Sequence, residues 1–395
     1  MTGGARLGGG SGESSSSGGL PDGGFLPDGG GTLPDGATAD GGACPPAPTK
    51  VLEANAGSLD VSGDEVVFID HDAGEVFLNV DDKTKAIRKV KLDGTGDTVL
   101  YTAPAKHQIN DARTFGATVY FLESERNEFG SEATTLFSIP VAGGTPTIVG
   151  KHADPEVVGD FDRLDAIASA DADSVYVIRG GPAVAFGSLH RFAVAGGAES
   201  VVYRGNLHSK PQKVGEEFFF TSGDIPSGVP NTSTVVKVSA AGGALVAVGG
   251  AKCKGDLTAG AFGILCVGAN ETTSEKKLSK WDLSGNGHAI VFELPEKSSR
   301  FVLIGPSDGT SVYVEPNVSS GSSAEITKAP LAGGASTVIA CDRQKIPRRK
   351  TVSGGINGAY VSELDMVTTP TELVWTEIRK ENGGPEKTAI YRTAR

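Results

Sequence analysis

Short apolar runs alternate with polar turns along most of this 395-residue chain, and one pattern recurs six times. Each copy is a six-residue run that begins with an apolar residue and is separated from a glycine turn by one residue. The third position is Lys or Arg in five of the six copies, and a short β-branched strand follows each turn. Glycine between two such runs favours a β-hairpin, because tight hairpin turns need positive φ. The turns lie at Gly94, Gly143-Gly144, Gly196-Gly197, Gly242-Gly243, Gly285 and Gly333-Gly334, at intervals of 43–53 residues.

An apolar strand lies about 20 residues before each turn, and one more short strand precedes it. These strands are apolar throughout, which is typical of strands covered on both faces. Four strands in a repeat of this length are typical of a β-propeller blade, so we predict an all-β fold. The apolar strands are residues 66–68, 119–121, 175–177, 218–220, 264–266 and 312–314.

The last repeat unit lacks a fourth strand, and the chain near its beginning contains an extra one. Residues 373–376 and 389–392 match the second and third strands of a seventh unit, but no fourth strand follows before Arg395. Residues 49–52 resemble a fourth strand that has no blade of its own. Pairing them would leave no open edge in the ring. We therefore predict a seven-bladed β-propeller that is closed by an N-terminal strand on the last blade. The crossing at residues 341–363 is long enough to hold an insertion.

The first 48 residues have a different composition, with 16 glycines and three copies of Leu-Pro-Asp-Gly. Such a segment cannot bury enough apolar surface to offset its ordering entropy. We predict a disordered tether rich in Gly, Ser, Pro and Asp at residues 1–48, followed by the propeller at residues 49–395. The net charge is −12. This argues against nucleic acids and anionic membranes as partners, and we interpret the basic run 343–350 as a solvated crossing.

No run is apolar and long enough for a transmembrane segment, and no signal peptide is visible after Met1. Taken literally, this indicates the cytoplasm. A Gly/Ser-rich tether joined to a propeller is, however, typical of exported bacterial lipoproteins. We therefore expect an extracytoplasmic protein of the cell envelope or a secreted one, with a signal sequence upstream of Met1. We also expect a monomer.

Two halves of the repeat carry a resemblance. Residues 119–121, 312–314 and 374–376 read Val-Tyr-Phe, Val-Tyr-Val and Val-Trp-Thr, and residues 328–334 read Lys-Ala-Pro-Leu-Ala-Gly-Gly. This resembles a family of exported bacterial repeat propellers with Val-Tyr-Trp and Leu-x-Gly-Gly-x-Pro-Thr motifs, similar in shape to NHL and TolB propellers. The similarity covers about residues 50–395 and departs from the pattern at residues 218–220 and 264–266. It implies the fold and export, whereas most members of the family lack an assigned activity.

The four cysteines lack the spacing typical of zinc sites. Cys266 is either a small buried hydrophobe or the partner of Cys253 in a disulfide, which would need an oxidising compartment. We do not pair Cys44 with Cys341. We predict no metal and no cofactor.

No catalytic constellation is visible, and we predict no catalytic residue. The six histidines are scattered, and Ser188 and Ser322 lack the flanking residues of a nucleophile elbow. A triad assembled from different blades remains an alternative. The acidic clusters at residues 70–72, 81–82 and 171–173 lack the ligand order of an EF-hand, and we interpret them as solvated tips.

Propellers bind ligands where loops converge around the channel. The crossings between blades contain acids, bases and imidazoles, a mixture that suits a sugar or a peptide better than a phosphate. The alternative is that these residues cap strands. The candidate ligand-binding residues are His107, Asp111, Arg113, Asp162, Arg163, Asp165, His208, Asp256 and Arg300.

Three functions remain open. The favoured one is a non-enzymatic propeller that binds a protein, peptide or glycan at its loop face. The second is a lyase or hydrolase with a metal- or histidine-based site at the channel mouth. The third is a purely structural protein of the cell envelope.

Overall fold

The computed structural model describes residues 45, 47–70, 86–105, 107–126, 132–152, 163–180, 187–226, 233–253, 257–267, 277–294, 300–318, 324–342, 346–347, 349–352, 361–364, 366–380 and 386–395. The predicted tether lies outside these residues, apart from 45, 47 and 48. Within them, strands and turns make up the regular structure. None of these segments forms a helix of the length and apolar character needed to cross a membrane.

The fold is an all-β propeller of seven blades, as the sequence predicts. Blades one to six are four-stranded antiparallel sheets. Their strands pair in chain order, because every connection within a blade reverses the chain. After the N-terminal β1 (Thr49–Glu53), the strands of blades one to six are β2 (Ala56–Ser62), β3 (Glu65–Asp70), β4 (Ala86–Lys91), β5 (Thr98–Thr102), β6 (His107–Phe115), β7 (Thr118–Arg126), β8 (Glu132–Pro140), β9 (Thr147–His152), β10 (Arg163–Ala170), β11 (Ser174–Gly180), β12 (Gly187–Ala193), β13 (Ser200–Gly205), β14 (Gln212–Val214), β15 (Glu217–Ser222), β16 (Ser233–Ser239), β17 (Val246–Cys253), β18 (Leu257–Gly260), β19 (Gly263–Val267), β20 (Lys277–Trp281), β21 (Ala289–Glu293), β22 (Arg300–Ser307), β23 (Ser311–Val318), β24 (Ala324–Pro330) and β25 (Thr337–Asp342).

The seventh blade is closed by the N-terminal strand. β1 pairs antiparallel with the last strand of the chain, from Thr49 opposite Arg392 to Glu53 opposite Ala389. This confirms the predicted closure. The inner edge of the blade is formed by two short strands that both pair with β30, and the hairpin β27–β28 lies between them in the chain. The long crossing therefore holds an insertion. The remaining strands are β26 (Ile346–Pro347), β27 (Arg349–Val352), β28 (Val361–Leu364), β29 (Met366–Thr368), β30 (Glu372–Lys380) and β31 (Glu386–Ala394).

The core lies between adjacent blades. The second strand of each blade is covered on both faces, and the side chains of Phe121, Phe220 and Trp375 are almost completely buried. Each such side chain contributes roughly 1.5–3 kcal/mol by leaving water. One apolar cluster joins blade seven to blade one across the closure, so burial supports the strand pairing there. Its members include Val51, Phe68, Val90, Val374 and Ile390.

The recurring Lys or Arg of the sequence pattern has a structural role. Lys89 Nζ lies 2.8 Å from Glu65 Oε1, and Lys237 Nζ lies 2.8 Å from Glu217 Oε1. Each pair links the third strand of a blade to the beginning of the second. Partly exposed ion pairs of this kind are worth about 0–1 kcal/mol. In these two blades the repeated lysine therefore supports the pairing of the second and third strands.

Candidate functional site

Two of the candidate ligand-binding residues, His107 and His208, lie where one blade leads into the next. We define the crossing face as the face where each fourth strand leads into the first strand of the next blade. Because strand direction alternates, the links between second and third strands emerge on this face too. The glycine turns lie on the opposite face, which we call the hairpin face.

His107 belongs to a small polar cluster between blades one and two. Its Nδ1 atom lies 2.7 Å from Glu123 Oε1, and the hydroxyl of Tyr101 donates to Glu123 Oε2 at 2.5 Å. Burial raises the pKa of Tyr101, and the hydrogen bond to Glu123 raises it further. Tyr101 therefore remains a donor at neutral pH. We call these three residues the Glu123 cluster.

Asp111 is completely buried and holds two blades together. Its Oδ1 atom accepts the N–H of Ala112 at 2.8 Å, and its Oδ2 atom accepts the N–H of Ile167 in β10 at 2.9 Å. Asp60 makes the equivalent contact one blade earlier, where its Oδ2 atom accepts the N–H of Thr114 at 2.8 Å. A buried carboxylate that accepts backbone N–H groups in the next inner strand has a structural role.

The other candidates fall into two groups. Arg113 lies on β6, with its Nε atom 3.6 Å from Asp111 Oδ1. Arg163 and Asp165 lie on the inner strand β10, and Arg300 begins the inner strand β22. Asp162 and Asp256 lie outside the described residues. Ligand binding by these residues stays a prediction.

His208 belongs to a more exposed cluster between blades three and four. Asn206 donates to the exposed carboxylate of Asp224 from its side-chain amide at 2.5 Å and from its backbone N–H at 3.1 Å. The hydroxyl of Tyr203 donates to the same carboxylate. His208 Nδ1 lies 2.5 Å from Ser233 Oγ. We call Tyr203, Asn206, His208, Asp224 and Ser233 the Asp224 cluster.

The electrostatics of the Asp224 cluster favour a neutral imidazole beside an anion. Burial lowers the pKa of His208, and the charge of Asp224 offsets only part of that effect. Burial raises the pKa of Tyr203, and its hydrogen bond to Asp224 raises it further. Gly223 allows the close approach of these groups, since a Cβ there would lie 2.8 Å from His208 Cε1. At neutral pH the cluster presents one carboxylate held by uncharged donors.

The sequence pattern does not predict a third cluster of polar side chains. Ser188 Oγ lies 2.6 Å from His190 Nε2, and His190 Nδ1 lies in close contact with Glu199 Oε1. The other oxygen of Glu199 lies 2.7 Å from His152 Nδ1, in the outer strand of blade two. Burial opposes ionisation of Glu199, but the hydrogen bonds from the two histidines outweigh it and lower its pKa to about 2. We call these four residues the Glu199 cluster.

Only part of the Glu199 cluster leaves a signal in the sequence. Ser188 and His190 are two residues apart on one strand, so their side chains share a face. His152 and Glu199 are 47 residues apart and meet only because β9 and the turn between β12 and β13 belong to neighbouring blades. The pattern of the sequence predicts the strands but gives no contact between these two side chains.

Cys253 and Cys266 form a disulfide in the structure, with their Cα atoms 5.7 Å apart. Cys253 ends β17 and Cys266 lies on β19, so the bond links the outer strand of blade four to blade five. Cys44 lies outside the described residues. Within the described part of the chain, no group of three or more His, Cys, Asp or Glu residues could hold a metal ion.

Sequence comparison gives the chain no family. No protein-family model matches it, and no curated protein matches it in sequence. The resemblance to exported NHL- and TolB-like repeat propellers therefore stays a prediction.

Solved structures show the fold alone. The chain is similar to the β-propeller domain of the Trilobed protease from Pyrococcus furiosus, with a TM-score of 0.52 and 11% identity over 88% of this chain and 96% of that one. It is similar to the polysaccharide lyase Uly1, with a TM-score of 0.52 and 11% identity over 90% and 93% of the two chains. For a puromycin hydrolase the TM-score is 0.52 and the identity 12%, over 88% of this chain and 55% of that one. The chain thus spans about half the length of that hydrolase. The first of these propellers has an open velcro topology, whereas β1 closes the ring here.

Proposed function

We propose that this chain is an extracytoplasmic propeller that binds a protein, peptide or glycan at its crossing face. The proposal is supported chiefly by the Asp224 cluster, because it combines an exposed carboxylate with fixed neighbours. Tyr203 and Asn206 hold Asp224 in one orientation, so binding would cost little side-chain entropy. A carboxylate and amide held in this way can accept and donate hydrogen bonds to sugar hydroxyls or to peptide N–H groups.

Charge restricts the class of ligand. The chain carries a net charge of −12, and the cluster itself presents an anion. Polyanions such as nucleic acids would be repelled, whereas neutral sugars and peptides would not. Export is supported by the disulfide between Cys253 and Cys266, because disulfides persist mainly in oxidising compartments.

A binding screen tests the function. The full chain would be applied to an array of neutral and amino-sugar oligosaccharides and to a random peptide library, and hits would be measured by calorimetry. We expect a ligand whose affinity falls at least about tenfold in Asp224→Asn and Asn206→Ala, the loss of roughly one charge-assisted hydrogen bond.

The matched control is Asp173→Asn, which changes an exposed aspartate in the turn between β10 and β11 on the hairpin face. It should bind as the unchanged protein does. Equal affinity in all variants would exclude the Asp224 cluster as the site, and the absence of any retained ligand would contradict the proposed function.

A further inference from the structure

The Glu199 cluster places a serine, an imidazole and a carboxylate in contact, in that order. Ser188 Oγ contacts His190 Nε2 at 2.6 Å, and the other ring nitrogen, Nδ1, lies in close contact with Glu199 Oε1. General-base activation of a serine requires this order, since the carboxylate fixes the ring with Nε2 directed at the hydroxyl. Ser188 and His190 share one face of β12, so the first contact is built into the strand.

The protonation states agree with that order. The pKa of Glu199 is about 2, so this residue is an anion at neutral pH. An anion beside Nδ1 keeps a proton on that nitrogen, which leaves Nε2 of the neutral ring as the acceptor for the Ser188 hydroxyl. His152 holds the second oxygen of Glu199 from the neighbouring blade, at 2.7 Å, and prevents rotation of the carboxylate away from His190.

Stability alone gives a poor account of this cluster. Ser188 is 6% exposed and His190 is 2% exposed, and the two blades also share an apolar cluster. Burying polar and charged groups costs free energy, and apolar residues of similar volume would serve the packing at least as well. The exposed Arg204 of β13 lies directly opposite Ser188. Its side chain is therefore on the same face of the sheet as the serine.

From this geometry we infer that Ser188 is an activated nucleophile that hydrolyses small esters. Its Oγ atom attacks the ester carbonyl carbon while its proton passes to His190 Nε2. The bond from carbon to the alcohol oxygen then breaks, and the alcohol leaves with that proton. Water attacks the acyl-serine and gives a proton to His190, the acid is released, and Ser188 regains its proton. Ester and water thus yield acid and alcohol.

The residues have distinct roles in this step. Ser188 and His190 contact the reacting atoms and are catalytic residues, whereas Glu199 and His152 are positioning residues. The site shares no residue with the Asp224 cluster, so the inference goes beyond the proposed binding function and does not depend on it. The burial of Ser188 restricts the substrate to small acyl groups.

Covalent labelling tests the inference. The folded full chain would be incubated with a fluorophosphonate, and the added mass would be located by peptide mapping. We expect one label, on Ser188. Ser188→Ala should abolish the label, and Glu199→Gln should slow it at least about tenfold. Hydrolysis of p-nitrophenyl acetate should change in parallel.

Two controls separate chemistry from folding. Ser200→Ala removes an exposed serine in the adjacent strand and should keep the label. Each variant would be melted, and rates would be compared below the melting transition. Absence of label on Ser188 in the folded protein would overturn the inference. An unchanged labelling rate in folded Glu199→Gln would overturn it as well, because the carboxylate would then not activate the serine.

Discussion

The carboxylate of Asp111 accepts the backbone N–H of Ile167, at 2.9 Å, across the boundary between blades two and three. The same carboxylate accepts the N–H of Ala112, so one buried side chain satisfies two backbone donors. Because an unsatisfied buried N–H costs about 1–3 kcal/mol, this contact matters for stability well beyond its size. The contact thus connects the inner strands of two blades, and ligand binding by Asp111 stays a prediction.

Asp111→Ala should therefore destabilise the propeller by about 2–4 kcal/mol, since two buried N–H groups would lose their acceptor. Denaturant unfolding would measure the change. Asp173→Ala, in an exposed turn, is the matched control and should stay within about 0.5 kcal/mol of the unchanged protein. Similar losses in both variants would mean that the contact with Ile167 contributes nothing of its own.

The closing strand should be necessary, whereas the preceding segment should not. A chain that begins at Thr49 should melt close to the full chain, because it keeps β1 and the buried Val51. A chain that begins at Gly57 loses β1 and exposes the edge of β31, so it should lose several kcal/mol or aggregate. Calorimetry and light scattering would show the difference. If both chains melt alike, the closure does not hold the ring together.

The Cys253–Cys266 disulfide should be present in periplasmic or secreted material. Peptide mapping without reduction should find the linked pair, and free thiols at both positions would contradict the prediction. The half-cystines are 13 residues apart, so replacing both by Ser should cost about 3 kcal/mol in the chain-entropy description. Addition of reductant should lower the melting temperature of the unchanged protein but not that of the double variant.

Acid should lower the stability of the contact between blades two and three, because it protonates Glu199. Its pKa falls from an ordinary 4.5 to about 2 in the folded protein. The stabilising effect is therefore complete above about pH 4.5 and is lost as the pH falls towards 2, because protonation then favours the unfolded chain. Allowing for screening by water, we expect about 1–2 kcal/mol.

Glu199→Gln has no carboxylate to protonate, so it should not lose this stabilisation in acid. The difference in the free energy of unfolding between this variant and the unchanged protein should therefore shrink between pH 5 and pH 2. The exposed Glu53→Gln is the control, and its difference should stay constant. A constant difference for Glu199→Gln would show that the contacts of Glu199 with His152 and His190 do not stabilise the fold.

The blades can be predicted from sequence because they depend on local pattern. Apolar runs that pair within about 25 residues, with Gly143 and Gly196 at positive φ in the turns, give each meander its register. The closure could be predicted too, since an unfinished last blade and an unattached first strand each leave an open edge. Both the blades and the closure can be predicted because they depend only on the order of strands and turns along the chain.

The clusters depend on the spatial arrangement of the blades. Asp111 meets Ile167 56 residues away, and His152 meets Glu199 47 residues away, through the packing of neighbouring blades. The repeat pattern fixes which blades adjoin but not which polar side chains face each other between them. The sequence by itself thus determined the strands, the blade number and the closing strand, because hydrophobic alternation and turns are local. Only the tertiary structure decided that Asp111 connects two blades and that Ser188, His190 and Glu199 lie in series, because those contacts arise from the packing of separate sheets.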